Sequence, residues 1–81
     1  MMHPDQIKQL ILAGMRCDHL ELDGDGHHFD ALIVSAEFIG KNRVQRQQHV
    51  YQTLKEKLAT GELHALSFKT LTPEEWSAQR G

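Results

Sequence analysis

The chain has 81 residues, 40% of them hydrophobic and 25% charged, which is the composition of an ordinary globular domain and not of a disordered or fibrous one. At this length a folded chain buries roughly 60–65% of its unfolded surface, so residues 1–81 are expected to form one domain with one core and no room for a large multipart active site. Nine Lys and Arg against eleven Asp and Glu leave a formal net charge of −2, which excludes a nucleic-acid clamp that works on bulk charge alone.

The first predicted element is a helix opened by Pro4 or Asp5, with Ile7, Leu10 and Ile11 on one stripe and Gly14 as its stop. His19 to Asp23 alternates. Leu20 and Leu22 fall on one side and His19, Glu21 and Asp23 on the other, the mark of a half-buried strand. The dipeptides Asp23-Gly24 and Asp25-Gly26 then signal a hairpin with an exposed tip. Phe29 to Phe38 is the most hydrophobic run and reads as a central strand covered largely on both faces, ended by Gly40.

Lys41 to Thr60 reads as helical. Val44, Tyr51, Leu54 and Leu58 lie near one face with Val50 beside them, and Arg43, Arg46, Gln47, Lys55 and Glu56 form the polar side. A break is admitted near Tyr51, and Gly61 is the stop. His64 to Leu71 is a third strand. Thr72, Pro73 and Glu75 then spell the capping box of a short last helix, with Trp76 as its only large anchor.

The order is α-β-β-α-β-α, an α+β fold. A hairpin makes the first two strands antiparallel, and a helical crossover makes the second and third parallel. The expected product is a three-stranded mixed sheet with a topology like the second KH type.

Six histidines are the unusual feature of the composition. His64 follows a helix stop and opens a strand, near a surface edge. His27 and His28 lead into a strand, where successive side chains point opposite ways, so only one of them can aim at a site shared with His64. A zinc site of three histidines has no H-x-x-x-H pair to support it. His3, His19 and His49 read as surface or helix-packing residues. Cys17, the one cysteine, excludes an internal disulfide and reads as a small apolar filler.

Charge is segregated. Asp18, Glu21, Asp23, Asp25, Asp30 and Glu37 gather around the hairpin, whereas Lys41, Arg43, Arg46 and Lys55 offer a basic helical face that could touch phosphates. A solvated helix face is the simpler account of those cations. No GXXG loop of the KH kind occurs. No G-x-S-x-G elbow, P-loop or dinucleotide fingerprint occurs either, and the carboxylates lie where nothing desolvates them, so an enzyme is not expected.

Three stretches, in order and spanning nearly the whole chain, carry a resemblance. Phe29 to Gly40 (FDALIVSAEFIG), Val44 to Tyr51 (VQRQQHVY) and His64 to Trp76 (HALSFKTLTPEEW) resemble the BolA-like family, and the tip Gly24 to Phe29 (GDGHHF) is most similar to its bacterial IbaG branch. The resemblance implies a non-enzymatic partner of a monothiol glutaredoxin. The two proteins, with glutathione, would share a labile 2Fe-2S cluster for iron–sulfur trafficking or for sensing iron and stress. On this side the implied ligands are His64 and a loop histidine, His28 with His27 adjacent; other branches place a Cys near that loop, and this chain has none there. Such a cluster needs about four ligands, so two imidazoles leave the remainder to the partner and the isolated chain is expected without a cluster. Imidazole must lose its proton to bind, so ligation weakens as pH falls toward its reference pKa of about 6.5.

The resemblance also implies a second role, transcriptional regulation of stress and morphology responses through a helix-turn-helix-like part of the middle helical region. That alternative would set Lys41, Arg43, Arg46 and Lys55 on DNA. Without a partner the chain is expected to be a monomer or a weak homodimer. It is expected in the cytoplasm and off the membrane, since no apolar run reaches the ~18 residues of a bilayer span and the N-terminus lacks a signal-peptide layout.

Overall fold

The computed structural model describes residues 2–26, 28–63 and 65–80. Its elements are α1 (Pro4–Gly14), β1 (His19–Gly24), β2 (His28–Val34), a 3-10 turn (Ala36–Phe38), α2 (Arg43–Ala59), β3 (Ala65–Leu71) and α3 (Pro73–Arg80). The sheet order is β1-β2-β3, with β1 antiparallel and β3 parallel to the central strand, the expected α+β arrangement.

α1 starts at Pro4, where the missing N–H removes no helical bond. Its cap is His3, whose Nδ1 accepts the Asp5 N–H at 3.1 Å while Gln6 Oε1 accepts the His3 N–H at 2.8 Å. Gly14 is the last helical residue and not a left-handed stop. A Cβ there would lie 2.7 Å from Thr53 Cγ2, so the glycine lets α1 approach α2.

In the hairpin, Leu20 opposes Ile33 and Leu22 opposes Ala31, while Asp23 opposes Asp30 on the other face. β2 ends at Val34, short of the expected Phe38. Ser35 is fully buried and explains the difference. Its N–H makes the last ladder bond, to Leu71 O at 3.0 Å, and its Oγ donates to Arg16 O and accepts the Glu37 N–H at 3.0 Å, so a local side-chain bond opens the 3-10 turn just past the strand. That turn drives Phe38, at 0% exposure, into the core.

Asn42 and Gln45 cap α2 reciprocally at 2.9 Å, and the helix runs unbroken through Tyr51 until Gly61 turns left-handed at φ +78°. Its buried line is Val50 and Leu54. Val44 and Tyr51, expected on the apolar stripe, are 60% and 38% exposed, because the sheet and α1 cover a line of α2 rotated away from them. Arg46 departs from the expected solvated face in the opposite sense. Its guanidinium reaches Glu75 at 2.8 Å and Thr70 O at 3.3 Å, and its Nε donates to Lys41 O at 2.9 Å.

Ile7, Ile11, Phe29, Ala31, Ile33, Phe38, Val50, Leu54 and Leu63 make the core between α1, α2 and one face of the sheet. α3 crosses the other face at one end. There Val34 and Leu71 are buried, Trp76 stacks on His19 at 4.9 Å, and Gln79 accepts from Lys69 Nζ at 3.3 Å. The capping box that opens α3 forms as expected: Thr72 N–H donates to Glu75 Oε1 at 2.8 Å and Glu75 N–H to Thr72 Oγ1 at 3.2 Å. No helix among the described residues is long and apolar enough to cross a membrane.

Candidate metal centre

The end of the sheet that α3 leaves open is built by the hairpin tip. Asp25 and His28 bond each other twice: Asp25 Oδ1 accepts the His28 N–H at 2.8 Å, and the Asp25 N–H donates to His28 O at 3.2 Å. Gly26 takes φ +96°, a conformation that side chains disfavour. Gly24 is also required, because a Cβ there would lie 2.3 Å from Phe29 Cδ1 and 2.6 Å from His28 O. The turn is thereby fixed, and so is the start of β2. Alternation then sends Phe29 into the core at 2% exposure and leaves His28 exposed on the opposite face, with Asp30.

The second chain segment arrives from α2. Gly61 turns the chain, the Leu63 N–H donates to Lys57 O at 3.2 Å, and Leu63 is buried at 2% exposure. β3 then begins at Ala65, and in the parallel ladder Ala65 is the register partner of His28. The strand starts that the sequence separates by the whole of α2 therefore lie side by side. His64 and His27, two of the three expected ligands, lie outside the described residues. Among the described residues no three His, Cys, Asp or Glu side chains are grouped so as to hold a metal ion by themselves.

Of the three expected donors, the described one stands on the open rim. His28 offers an exposed imidazole on a fixed backbone, and position 64 immediately precedes its register partner. Exposure on an open rim suits ligands that a second molecule would complete.

Three other histidines have local work, in agreement with their reading as surface or packing residues. His3 caps α1. His19 Nε2 contacts Glu21 at 2.5 Å beneath Trp76. His49 Nε2 meets Glu37 Oε1 at 2.8 Å, and its ring sits edge-on to Phe38. Glu37 also accepts the Arg16 N–H, and that bond, followed by the His49 contact, holds its carboxyl below the ordinary carboxylate range. Cys17 is half-buried against the core, and burial, helped by the charges of Glu37 and Asp18, pushes its thiol pKa up. A thiol held protonated is a poor ligand and a poor nucleophile, which agrees with the filler role.

The basic face of α2 is less free than its sequence suggests. Arg46 is paired with Glu75, and Lys41 Nζ donates to Glu37 O at 2.9 Å, whereas Arg43 and Lys55 are exposed. Sequence reasoning missed the part of Asp25 in fixing His28. The signal was present: an Asp between two glycines just before a strand is a turn residue whose side chain readily bonds the nearby backbone.

A family profile described as BolA-like protein matches residues 12–75. The acid stress protein IbaG of Escherichia coli strain K12 is 35% identical over 79 residues, covering 98% of this chain and 94% of that protein. The DNA-binding transcriptional regulator BolA of Haemophilus influenzae is 48% identical over 56 residues, covering 69% of this chain and 53% of that protein. Among solved structures, a BolA protein homologue from Coxiella burnetii superposes with a TM-score of 0.79 at 38% identity, covering 95% of this chain and 99% of that one.

Proposed function

This chain belongs to the BolA-like family, and from that membership we propose that it is the histidine-donating half of a 2Fe-2S site shared with a monothiol glutaredoxin and glutathione. The observation that supports the reading is the parallel register, which sets exposed His28 against the residue that follows position 64. His28 and His64 would hold the cluster from this side, with His27 as the alternative loop donor. A cluster with imidazole ligands supplies an electron-transfer centre of higher potential than one held by thiolates alone.

The contribution of the chain itself is positional. Asp25 fixes the backbone that carries His28, and the hairpin keeps that ring in solvent where a second protein can reach it. Imidazoles bind as neutral bases, so acid competes with the metal for them. A site that loosens under mild acid suits trafficking of a cluster or sensing of iron and stress. No catalytic step is involved, and the relatives described above are named as a stress protein and a regulator.

The test mixes the protein with a cluster-loaded monothiol glutaredoxin and glutathione and follows visible absorption and circular dichroism. Complex formation is expected to change the spectrum, His64→Ala and His28→Ala are expected to abolish the change, and His27→Ala to leave it. Unchanged spectra in the first two variants overturn the ligand assignment.

A second reading, DNA binding through α2, draws on the exposed Arg43 and Lys55 and on the name of the Haemophilus relative. The Arg46–Glu75 pair takes one cation out of that face and makes this the weaker reading. Titration of duplex DNA at several salt concentrations separates the two. Specific binding whose log–log salt slope is steep, about −0.9 per phosphate contact, and which is lost in Arg43→Glu, would favour DNA.

A further inference from the structure

β3 is an outer strand, and among the described residues its far edge carries no other strand. Two hydrogen bonds fix which groups face that edge. Leu71 O accepts the Ser35 N–H at 3.0 Å on the β2 side. Thr70 O is reached from the opposite side by Arg46 Nη1 at 3.3 Å. Alternation along the strand therefore turns the backbone N–H and C=O of Leu66, Phe68 and Thr70 outward. Seven residues without Pro and in unbroken register make this an edge with few of the usual devices that discourage a further strand.

α2 stands alongside that edge. Tyr51 meets Phe68 edge-to-face at 5.3 Å, and Val44, two turns earlier on the same stripe, is 60% exposed. Val44 and Tyr51 were expected on the apolar stripe of the helix, and the fold sets them beside an open strand. A groove of about 360 Å³ runs between the edge and the start of α2, with Lys41, Arg43, Gln47, Phe68 and Thr70 in its lining. Arg43 makes no ion pair among the described residues, and Glu75, the one carboxylate in that lining, is held by Arg46.

We propose that the free edge of β3 receives an extended acidic peptide segment of a partner protein as a fourth strand. Its backbone pairs with the outward groups of Leu66 and Phe68, its carboxylates face Lys41 and Arg43, and its apolar side chains lie on Val44, Tyr51 and Phe68. The unmet groups are amides and carbonyls in strand register, which another peptide backbone satisfies residue by residue and a phosphate chain does not. The uncapped cation Arg43 selects acidic side chains. This inference is independent of the cluster reading, because it uses the far edge of the sheet and none of the histidines.

The test titrates nitrogen-15-labelled protein with an eight-residue peptide alternating Glu and Val. Saturable amide shifts are expected at Leu66, Phe68, Thr70, Gln47 and Tyr51, with slowed hydrogen exchange at the Phe68 N–H. Arg43→Glu, at an exposed position that leaves the fold intact by far-ultraviolet circular dichroism, is expected to weaken binding about tenfold. A peptide N-methylated at alternate residues keeps every side chain and is expected not to bind. Absence of saturation, shifts confined to β1, or indifference to N-methylation would overturn the proposal. So would a single-stranded oligonucleotide that moves the same amides at lower concentration than the peptide, which would assign the groove to nucleic acid.

Discussion

The Arg46 guanidinium grips the Glu75 carboxylate at 2.8 Å, joining the first turns of α2 to the first turn of α3 across the end of β3. The same carboxylate accepts the Thr72 N–H, so one acidic group closes both a cap and an inter-helix contact. Arg46, followed by the Thr72 N–H, holds the Glu75 carboxyl down at about 2 against an ordinary 4.5. The folded value lies below the unfolded one, so this contribution to stability is complete above about 4.5 and is lost as pH falls through about 2. Urea midpoints measured across that window are expected to fall with pH, and Glu75→Gln is expected to lower the neutral-pH midpoint and flatten the fall. A variant curve parallel to the parent would show that the pair contributes nothing.

Leu54 and Val44 lie on one helix with opposite fates. Leu54→Ala removes a fully buried side chain and is expected to cost about 2–5 kcal/mol, enough to unfold much of a domain this small at body temperature. Val44→Ala is expected to change stability by less than about 0.5 kcal/mol, since most of that side chain is already in water. Chemical denaturation of both variants checks the pair, and equal losses would mean that α2 is rotated from the orientation described.

α3 fully buries none of its own residues and depends on Trp76 stacked over His19. Trp76→Ala is expected to cost about 2 kcal/mol through lost area and the ring contact. The larger effect is expected to be local. Hydrogen exchange at the α3 amides should rise toward unprotected rates while β2 amides keep their protection. Uniform loss across the chain would contradict the picture of a separately held terminal helix.

Gly24 and Gly40 separate two reasons for glycine. Gly24→Ala places a methyl against the Phe29 ring and the His28 carbonyl and is expected to cost about 1–3 kcal/mol by overpacking. It should also displace the His28 imidazole resonances. Gly40→Ala meets no atoms within 4 Å but sits at φ +81°, so its cost of about 1 kcal/mol is purely conformational and leaves His28 untouched. Thermal melts with proton NMR of the imidazoles distinguish the two.

What the sequence disclosed was local. The Asp-Gly tip, the Thr72-Pro73-Glu75 cap and the Gly61 stop are short-range signals, and the structure has all three. The misjudged features depend on distant residues. The run from Phe29 to Phe38 is continuous in hydrophobicity, so nothing in it marks Ser35 as the point where Arg16, far back in the chain, draws the backbone out of the ladder. Arg46 reads as a solvent cation because its carboxylate partner lies in another helix. Helical spacing put Val44 and Tyr51 beside Leu54, but which part of that arc meets the core is set by where α1 and the sheet lie. At the candidate centre, alternation allowed only one of His27 and His28 to face the site without saying which, and only the register of β2 with β3 brings Ala65 beside His28.

That register carries a kinetic consequence. An antiparallel hairpin can zip from its own turn, but the β2–β3 pairing closes only after the intervening helix has formed and folded back. The apposition at the rim joins segments far apart in the chain, so a ligand bridging the two strands and absent from the unfolded chain would hold the crossover shut by its affinity for the folded form.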